Sequence, residues 1–345
     1  MKVRWQRLTA VLMAISLTAL LTACGGTAND SSEEKESTAH IGIIFTQAGL
    51  SGNSFNDLAL DGVKQAAEEL GITYDAVEPK SVSDEEIIQD EMASSEEYDL
   101  IICVGEEQVD ALNNVASVYT EQKFALLDAT SQMDNVASYS CKAQEGSFMV
   151  GALAVLAKEH GIDSRMSENK TIGFIGGMDN PQINEFAAGY IAGAQYVDPE
   201  VTVLKDYAGG FNDPTTARTI ANTFYEKGAD VIFHAAGSSG MGLFQSAEEK
   251  NYVCIGVNLN QNTIAPDYIM ASMLKKLDSC AYHAIESVVD GSYTGENQLL
   301  GLRDGGVDYT VEGSNIEVPE EIITELDKIK NEIIAGNIEV PSELK

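Results

Sequence analysis

Short apolar runs alternate with amphipathic stretches along most of the chain. Runs typical of β-strands lie at 40–45, 73–77, 99–104, 123–128, 136–140, 171–176, 201–207, 230–236 and 252–257. The stretches between them have the periodicity of helices. Such alternation is typical of parallel sheets covered by helices on both faces. Because the series restarts at residue 171, the chain is predicted to form two α/β halves, as in a hinged clamshell.

The N-terminal residues have the pattern of a secretory signal. Three cations precede an apolar run over 8–21, which holds no acidic residue and is short for a membrane span. The run ends in "LTACG", which resembles a bacterial lipobox in which Cys24 is lipidated; a chance cysteine behind an ordinary signal peptide is the alternative. We therefore predict a signal peptide at 1–23 and a lipid-anchored protein on the extracytoplasmic face of the cell membrane. Residues 24–38 are small, polar and charged, which predicts a flexible tether.

The chain is strongly acidic. It has 54 Asp and Glu residues against 21 Lys and Arg residues, so its formal net charge is −33. An acidic surface repels nucleic acid and anionic lipid headgroups, and it argues against a strongly anionic ligand. The charge also has a simpler interpretation, which is that it only keeps the surface solvated. We expect the protein to be a monomer.

Cysteines and histidines have no spacing that indicates a metal site. Besides Cys24 there are Cys103, Cys141, Cys254 and Cys280, and no Cys-x-x-Cys pair occurs. Cys103 and Cys254 lie in apolar runs and are predicted to be buried thiols, while the disulfide state of the four cysteines stays open. The four histidines are scattered, so we expect no metal and no cofactor.

The loop after the first strand leads to an aromatic residue with two interpretations. In open α/β sheets, ligands bind beyond the carboxyl ends of the strands. Phe55 follows the first strand and its loop, and therefore lies at the mouth of a binding cleft. It is also in register with an apolar stripe that begins at Leu58 and Ala59, so periodicity alone allows a core position equally well.

Other polar residues and glycines follow strands in the same way. Asp128 closes the run at 123–128, Gly237 follows the run at 230–236, and Asn258 follows the run at 252–257. Each has a simpler explanation, because Asp caps helices and glycine makes turns. Their convergence predicts a polar, glycine-lined cleft with aromatic walls, which suits a small, flat, polyhydroxylated molecule.

Several segments resemble the basic membrane protein family of lipoproteins. They include "NSFND", "QEGSFMVGALA", "IGFIGGMDNPQINEFAAGYIAGA", "GFNDPTTARTIANTFYEKGADVIFHAAGSSGMG" and "ASMLKKLD", which occur in order between about residues 40 and 310. Characterised members of this family include purine nucleoside receptors that feed ABC transporters. The resemblance therefore implies an extracytoplasmic substrate-binding protein, without enzymatic activity, that delivers a nucleoside to an ABC permease.

The resemblance also implies a fold and lobe boundaries. The fold is α/β, a type I periplasmic-binding-protein clamshell in which two Rossmann-like lobes with parallel sheets are joined by three hinge crossings. We expect the N-terminal lobe to comprise residues 39–142 and 260–292. The C-terminal lobe is then expected to comprise residues 143–259 and 293–345.

Site residues follow from the resemblance position by position. Phe55 and Phe186 match the aromatic residues that would enclose the base, and Asn56 lies beside it. Asp128, Gly237, Asn258 and Lys275 fall where the family contacts ribose. Aromatic stacking is worth about 1 to 3 kcal/mol per base, and charged groups form strong hydrogen bonds with vicinal hydroxyls.

The chain departs from the family at the pocket itself. The family's Asp after the first strand is Gln47 here, its Asp in the D-x-SFN segment is Gly52, and its Asp after the strand at 253–257 is Asn258. Gln47 and Asn53 are candidates for base contact. The departures bear on purine preference and ribose recognition, because an amide both donates and accepts whereas a carboxylate only accepts.

Other classes of function are open at this point. A nucleoside-converting enzyme would need a general acid or base, for which Asp128 alone could be proposed. A surface lipoprotein with a sensor or adhesive role is a further alternative, as is a receptor for another polyhydroxylated ligand such as a sugar.

Overall fold

The structure is a computed structural model that describes residues 39–50 and 55–344. The predicted signal peptide at 1–23, the lipidation site Cys24, the tether at 24–38 and the candidate Asn53 lie outside the described residues, as does the departure at Gly52.

The first sheet has six parallel strands. Its strands, in chain order, are β1 (His40–Ile44), β2 (Thr73–Val77), β3 (Leu100–Val104), β4 (Phe124–Leu127), β5 (Val136–Cys141) and β11 (Asn297–Leu300). Their spatial order is β11-β5-β4-β3-β1-β2. The five neighbouring pairs are all parallel, as the alternation of strands and helices predicts.

The second sheet repeats this order with one reversed strand. Its strands are β6 (Thr171–Gly176), β7 (Thr202–Tyr207), β8 (Val231–Ala235), β9 (Val253–Asn258), β10 (Ile269–Lys275) and β12 (Val307–Thr310). Their spatial order is β12-β10-β9-β8-β6-β7. Only β12 runs antiparallel to its neighbour within this sheet, because the chain enters it directly from the other lobe.

Helices cover both sheets. They are α1 (Phe55–Leu70), α2 (Val82–Ser95), α3 (Val109–Val118), α4 (Ala143–Glu159), α5 (Pro181–Val197), α6 (Pro214–Glu226), α7 (Met241–Lys250), α8 (Leu277–Val289) and α9 (Glu320–Ala335). They pack in pairs, α1 with α8, α2 with α3, α4 with α5, and α6 with α7. Among the described residues, none of these helices has the length and apolar character needed to cross a membrane.

Successive residues of a strand enter different cores. In β1, Ile41 and Ile43 contribute to one hydrophobic cluster, whereas Ile44 contributes to the cluster beneath α2 and α3. The side chains of a strand point alternately to the two faces of its sheet, so a strand that is apolar throughout requires cover on both faces. The helices on either side provide that cover.

Three segments cross between the lobes. They join β5 to α4, β10 to α8, and β11 to β12. Two α/β lobes joined by three crossings are the expected clamshell, and the predicted fold class is confirmed.

The sheets divide the chain differently from the expected boundaries. The expected boundaries place residues 260–292 in the N-terminal lobe, but β10 pairs with β9 and so lies in the second sheet. They place residues 293–345 in the C-terminal lobe, but β11 pairs with β5 in the first sheet. The cause is that β9 and β10 are joined without a long helix, so the strand–helix alternation does not reveal β10. We therefore assign residues 39–142 and 277–300 to the first lobe, and residues 143–276 and 301–344 to the second.

The four described cysteines are buried and free. The prediction of buried thiols for Cys103 and Cys254 is therefore confirmed. Burial also raises the pKa of both thiols well above the ordinary value, which keeps them protonated and unreactive.

Candidate functional site

A cavity of about 670 Å³ lies between the lobes, at the carboxyl ends of strands from both sheets. This is the position that the rule for open α/β sheets assigns to a ligand. All the candidates within the described residues line it, namely Gln47, Phe55, Asn56, Asp128, Phe186, Gly237, Asn258 and Lys275. The structure thus brings together residues that the sequence spreads over both halves of the chain.

Two aromatic rings from opposite lobes face one ammonium group. The Lys275 Nζ atom lies 5.9 Å from the centroid of the Phe55 ring and 5.3 Å from that of Phe186. Phe55 is the first residue of α1 and is half-buried, whereas Phe186 lies in α5 and is 4% exposed. The cavity therefore has one aromatic wall in each lobe, with a positive charge between them that both ring faces attract.

Lys275 forms an ion pair with Asp128 across the lobes. The distance from Nζ to Oδ1 is 2.5 Å, and both side chains are buried. Burial on its own lowers the pKa of Lys275, but the Asp128 carboxylate, with smaller contributions from Cys141 and Glu185, outweighs it, and the pKa lies above its ordinary value. Each of the two buried charges requires the other as its partner, because an isolated buried charge strongly destabilises the folded state.

Two residues of the cavity have a strained backbone. The described non-glycine residues with positive φ are Glu96, Asp128, Asn251 and Asn258. Glu96 and Asn251 end helices α2 and α7, where a left-handed residue is ordinary. Asp128 (φ 66°) and Asn258 (φ 68°) instead follow β4 and end β9 in the cavity. Asp and Asn tolerate this conformation best, and such strain concentrates at functional sites.

Asn258 has an unused acceptor. Its Oδ1 atom is buried and has no hydrogen-bond partner within the described residues, although the residue lines the cavity. A buried acceptor without a donor is destabilising, so a donor from a ligand would stabilise it. Gly237, which also lines the cavity, has a left-handed backbone (φ 54°) that a larger residue would disfavour.

Asn56 is occupied by the loop that precedes it. Its Nδ2 atom donates to the carbonyl oxygens of Gly49 (2.8 Å) and Thr46 (3.2 Å), and its Oδ1 atom accepts from the Thr46 amide (3.2 Å). Asn56 therefore shapes the rim loop in addition to lining the cavity. Gln47 lies exposed on that rim, and its main-chain amide donates to Glu107 at 3.1 Å.

A third aromatic residue lies in the second lobe. Phe211 follows β7 and lines the cavity, with its ring packed where a side chain on Gly177 would otherwise lie. Ser239 fixes this loop, because its Oγ donates to the Gly210 carbonyl (2.8 Å) and accepts from the Asp213 amide (2.7 Å). Gly177 is therefore required by the position of Phe211.

The first lobe makes the cavity acidic. Glu106, Glu107 and Asp128 line it, and Lys275 is the one basic residue in the lining that the structure describes. Behind Glu107 lies Glu85, whose side chain is fully buried and whose carboxyl oxygens accept no hydrogen bond from a donor among the described residues. Burial, and then the neighbouring Glu107, raise the pKa of Glu85 to about 8.

Sequence reasoning missed several residues of the lining. They are Glu106, Glu107, Met178, Asn180, Gln182, Phe211 and Asn212, among others. Most of them follow β3, β6 or β7, so the rule of strand ends, applied to every strand, would have found them. Gln182 lies one residue into a helix, and no sequence signal marks it.

The class of protein follows from comparison with known proteins. The solved structure of an ABC transporter solute-binding protein from Aeropyrum pernix K1 is 30% identical in sequence and superposes with a TM-score of 0.78. The matched region covers 88% of this chain and 94% of the other. A family model described as "ABC transporter substrate-binding protein PnrA-like" matches residues 40–343. The protein is therefore a non-enzymatic, substrate-binding component of an ABC transporter. A small-molecule ligand, a permease partner and an extracytoplasmic location belong to that class.

Relatives define the family more closely. An uncharacterized lipoprotein of Pyrococcus abyssi is 33% identical over 312 residues, which cover 86% of this chain and 75% of the relative. Basic membrane protein A of Borreliella burgdorferi is 31% identical over 84% of each chain. The chain belongs to the Bmp family of PnrA-like substrate-binding proteins, and the resemblance predicted from the sequence is confirmed.

Proposed function

We propose that this protein captures a nucleoside, preferably a purine nucleoside, in the cavity between its lobes and delivers it to an ABC importer. The observation that carries the proposal is the pair of rings, Phe55 and Phe186, that face one point from opposite lobes. A planar base is the ligand class that gains most from two aromatic walls, because each stacked face contributes about 1 to 3 kcal/mol.

The polar residues of the cavity support the sugar half of such a ligand. Asn258 has a free buried acceptor, which a hydroxyl donor would satisfy. The carboxylate of Asp128 and the ammonium of Lys275 lie next to the rings and form strong hydrogen bonds with hydroxyls. Gln47 on the rim, together with Asn53, stays our candidate for contact with the base.

The charge of the cavity favours an uncharged ligand. Its lining has three carboxylates against the single ammonium of Lys275, which is already paired. A phosphate group would meet net negative charge and no free cation in the described lining. We therefore expect a nucleoside to bind and the corresponding nucleotide not to bind.

Calorimetry with a matched panel tests the proposal. The panel consists of adenosine, adenine, ribose, adenosine monophosphate, cytidine and glucose, followed by chromatography of the recovered ligand. Tight binding of adenosine with weak binding of its separate halves supports the proposal. Binding of glucose alone would indicate a sugar receptor, and absence of binding by every compound would favour a sensor or adhesive role.

The proposal includes a lipid anchor on Cys24, with the protein acting as a monomer. Cys24→Ser should release the protein from the membrane fraction while adenosine affinity stays unchanged, because the residue lies outside the binding domain. Retention of this variant in membranes would contradict lipidation.

Sedimentation of the Cys24→Ser variant tests the proposed monomeric state, because a dimer would show about twice the mass of a monomer.

A further inference from the structure

A glutamine side chain joins the two lobes at the cavity. Gln182 lies in the first turn of α5, and its Nε2 atom donates to Asp128 Oδ2 at 2.9 Å and to the Asp128 carbonyl oxygen at 3.1 Å. Gln182 belongs to the second lobe and Asp128 to the first. Both hydrogen bonds therefore exist only while the lobes are closed on each other.

The start of α5 holds Gln182 in place. Asn180 caps the helix, since its Oδ1 atom accepts from the Ile183 amide at 2.9 Å, and Pro181 occupies the first helical position. Both features fix where a helix begins. The side chain of Gln182 thus extends from a rigid turn and not from a loose loop.

Asp128 is the common partner of two residues of the second lobe. Its Oδ1 atom pairs with Lys275 at 2.5 Å, and its Oδ2 atom accepts from Gln182. Lys275 lies at a hinge crossing, where opening moves atoms least, whereas Gln182 lies on a helix away from the crossings. Opening of the cleft consequently breaks the Gln182 contacts first.

We propose that Gln182 is a positioning residue that holds the lobes closed over the ligand through Asp128. This inference rests on the proposed function, because closure matters only if the cavity binds a solute. Ligand enters the open form, in which Gln182 and Asp128 are hydrated, so the rate of association depends on their contact only through the fraction of ligand-free molecules that is open, and it changes at most twofold when half or more are open. Ligand leaves after opening, so the rate of dissociation depends on how strongly the contact between Gln182 and Asp128 holds the lobes closed.

Removal of the donor gives a measurable expectation. Gln182→Met keeps the length of the side chain and removes its hydrogen bonds to the carboxylate. A hydrogen bond to a charged group has a net value that corresponds to about a tenfold change in an equilibrium constant. We expect adenosine to dissociate about tenfold faster from Gln182→Met, with an association rate within about twofold of wild type.

Asn184 provides the matched control on the same helix. Its Nδ2 atom donates to Asp179 at 2.9 Å, which lies in its own lobe, and the residue is absent from the cavity lining. Asn184→Ala removes an amide from α5 without touching an interlobe contact. It should leave both the dissociation rate of adenosine and the closed population as in wild type.

Distances between the lobes give a readout that needs no ligand. Asp110 in the first lobe and Gln245 in the second are exposed and lie outside the cavity lining. Spin labels on cysteines introduced there into the Cys24→Ser protein report the separation of the lobes, since the four described native cysteines are buried. Gln182→Met should shift the ligand-free distribution toward longer distances.

The outcomes separate the two proposals. If wild type fails to bind adenosine, the proposed function fails, and the ligand-free distance distributions alone decide the role of Gln182. If adenosine binds but Gln182→Met leaves both the dissociation rate and the distances unchanged, the positioning role is wrong. An equal effect of Asn184→Ala would also overturn it, because the effect would then come from α5 in general.

Discussion

The two walls of the cavity offer the same kind of side chain with different mechanical support. Phe55 begins a helix behind the rim loop and packs, partly buried, against the edge of the main hydrophobic core, whereas Phe186 lies in the second turn of α5 and is a buried member of that core. Truncation of Phe55 is expected to change mainly the binding site, whereas truncation of Phe186 is expected to disturb the core as well. Ligand affinity and stability are thus separable in the first lobe and coupled in the second.

The lobes also differ in whether a buried acidic side chain has a compensating partner. In the second lobe, Asp230 is buried, but Lys158 pairs with it and Ser167 donates to it at 2.6 Å through its amide. In the first lobe, Glu85 is buried behind the site without such a partner. The second lobe therefore compensates its buried charge, while the first keeps a carboxyl that remains protonated at neutral pH.

The largest effect should come from Lys275→Met, which removes the ammonium group that lies between the rings of Phe55 and Phe186. Asp128 would stay buried without its partner, so we expect a loss of about 4 kcal/mol in the free energy of unfolding. Chemical denaturation measures it, with the half-buried neighbour Lys276→Met as control. The double variant Lys275→Met, Asp128→Asn should recover most of the loss, because asparagine removes the charge and tolerates the left-handed backbone of this position. If it does not, the ion pair is not the source of the effect.

Phe186→Ala should rank second. Truncation of a buried phenylalanine leaves a cavity, and the expected loss of stability is about 3 kcal/mol, at the low end because one side of the ring already faces the binding cavity. Thermal melting of the ligand-free protein measures the loss. A variant that melts like wild type would mean that Phe186 contributes to the site alone, and the contrast between the walls would disappear.

Glu85→Gln should stabilise the protein in a manner that depends on pH. The pKa of Glu85 is raised to about 8 in the folded state, above its ordinary value of 4.5. The folded state therefore binds more protons than the unfolded state between these values, and wild-type stability falls as pH rises through this window. The gain of the variant should be near zero at pH 4.5, reach about 2 kcal/mol near pH 6 and keep rising toward pH 8, because each pH unit between the two pKa values contributes about 1.4 kcal/mol.

A pH series of melting curves tests this prediction. Glu91→Gln, an exposed position on the same helix, provides the control and should show no such trend. A gain that is constant between pH 4.5 and pH 8 would show that Glu85 does not titrate in this range.

Phe55→Ala should have the smallest effect on stability, about 1 kcal/mol, because the ring is only partly buried and lines the cavity. Its effect on adenosine affinity should nonetheless be tenfold to a hundredfold, which corresponds to a stacking contribution of about 1 to 3 kcal/mol. Phe55→Trp should retain much of the binding. Calorimetry of the three proteins measures this, and a large loss of stability with unchanged affinity would return Phe55 to the core.

Much of the site was predictable because it lies at strand ends. The position of Asp128 follows from a strand that is apolar up to its last residue, and Asn258 follows from another. Phe211 occupies an equivalent place after β7 and could have been found by the same rule. Gln182 could not, because its importance depends on an acceptor in the opposite lobe, and no local pattern encodes a contact across the cleft.

The sequence by itself determined the two α/β halves, since the period of two in strands and of 3.6 in helices is a local property of the apolar residues. It also determined which loops carry the polar residues. Only the tertiary structure decided that β10 belongs to the second lobe and β11 to the first, because strand pairing depends on partners that are distant in sequence. The tertiary structure likewise decided that Phe55 lines the cavity from the edge of the core and that Phe186 lines it as a buried core residue, because burial depends on what packs against a ring and not on its position in a helical stripe.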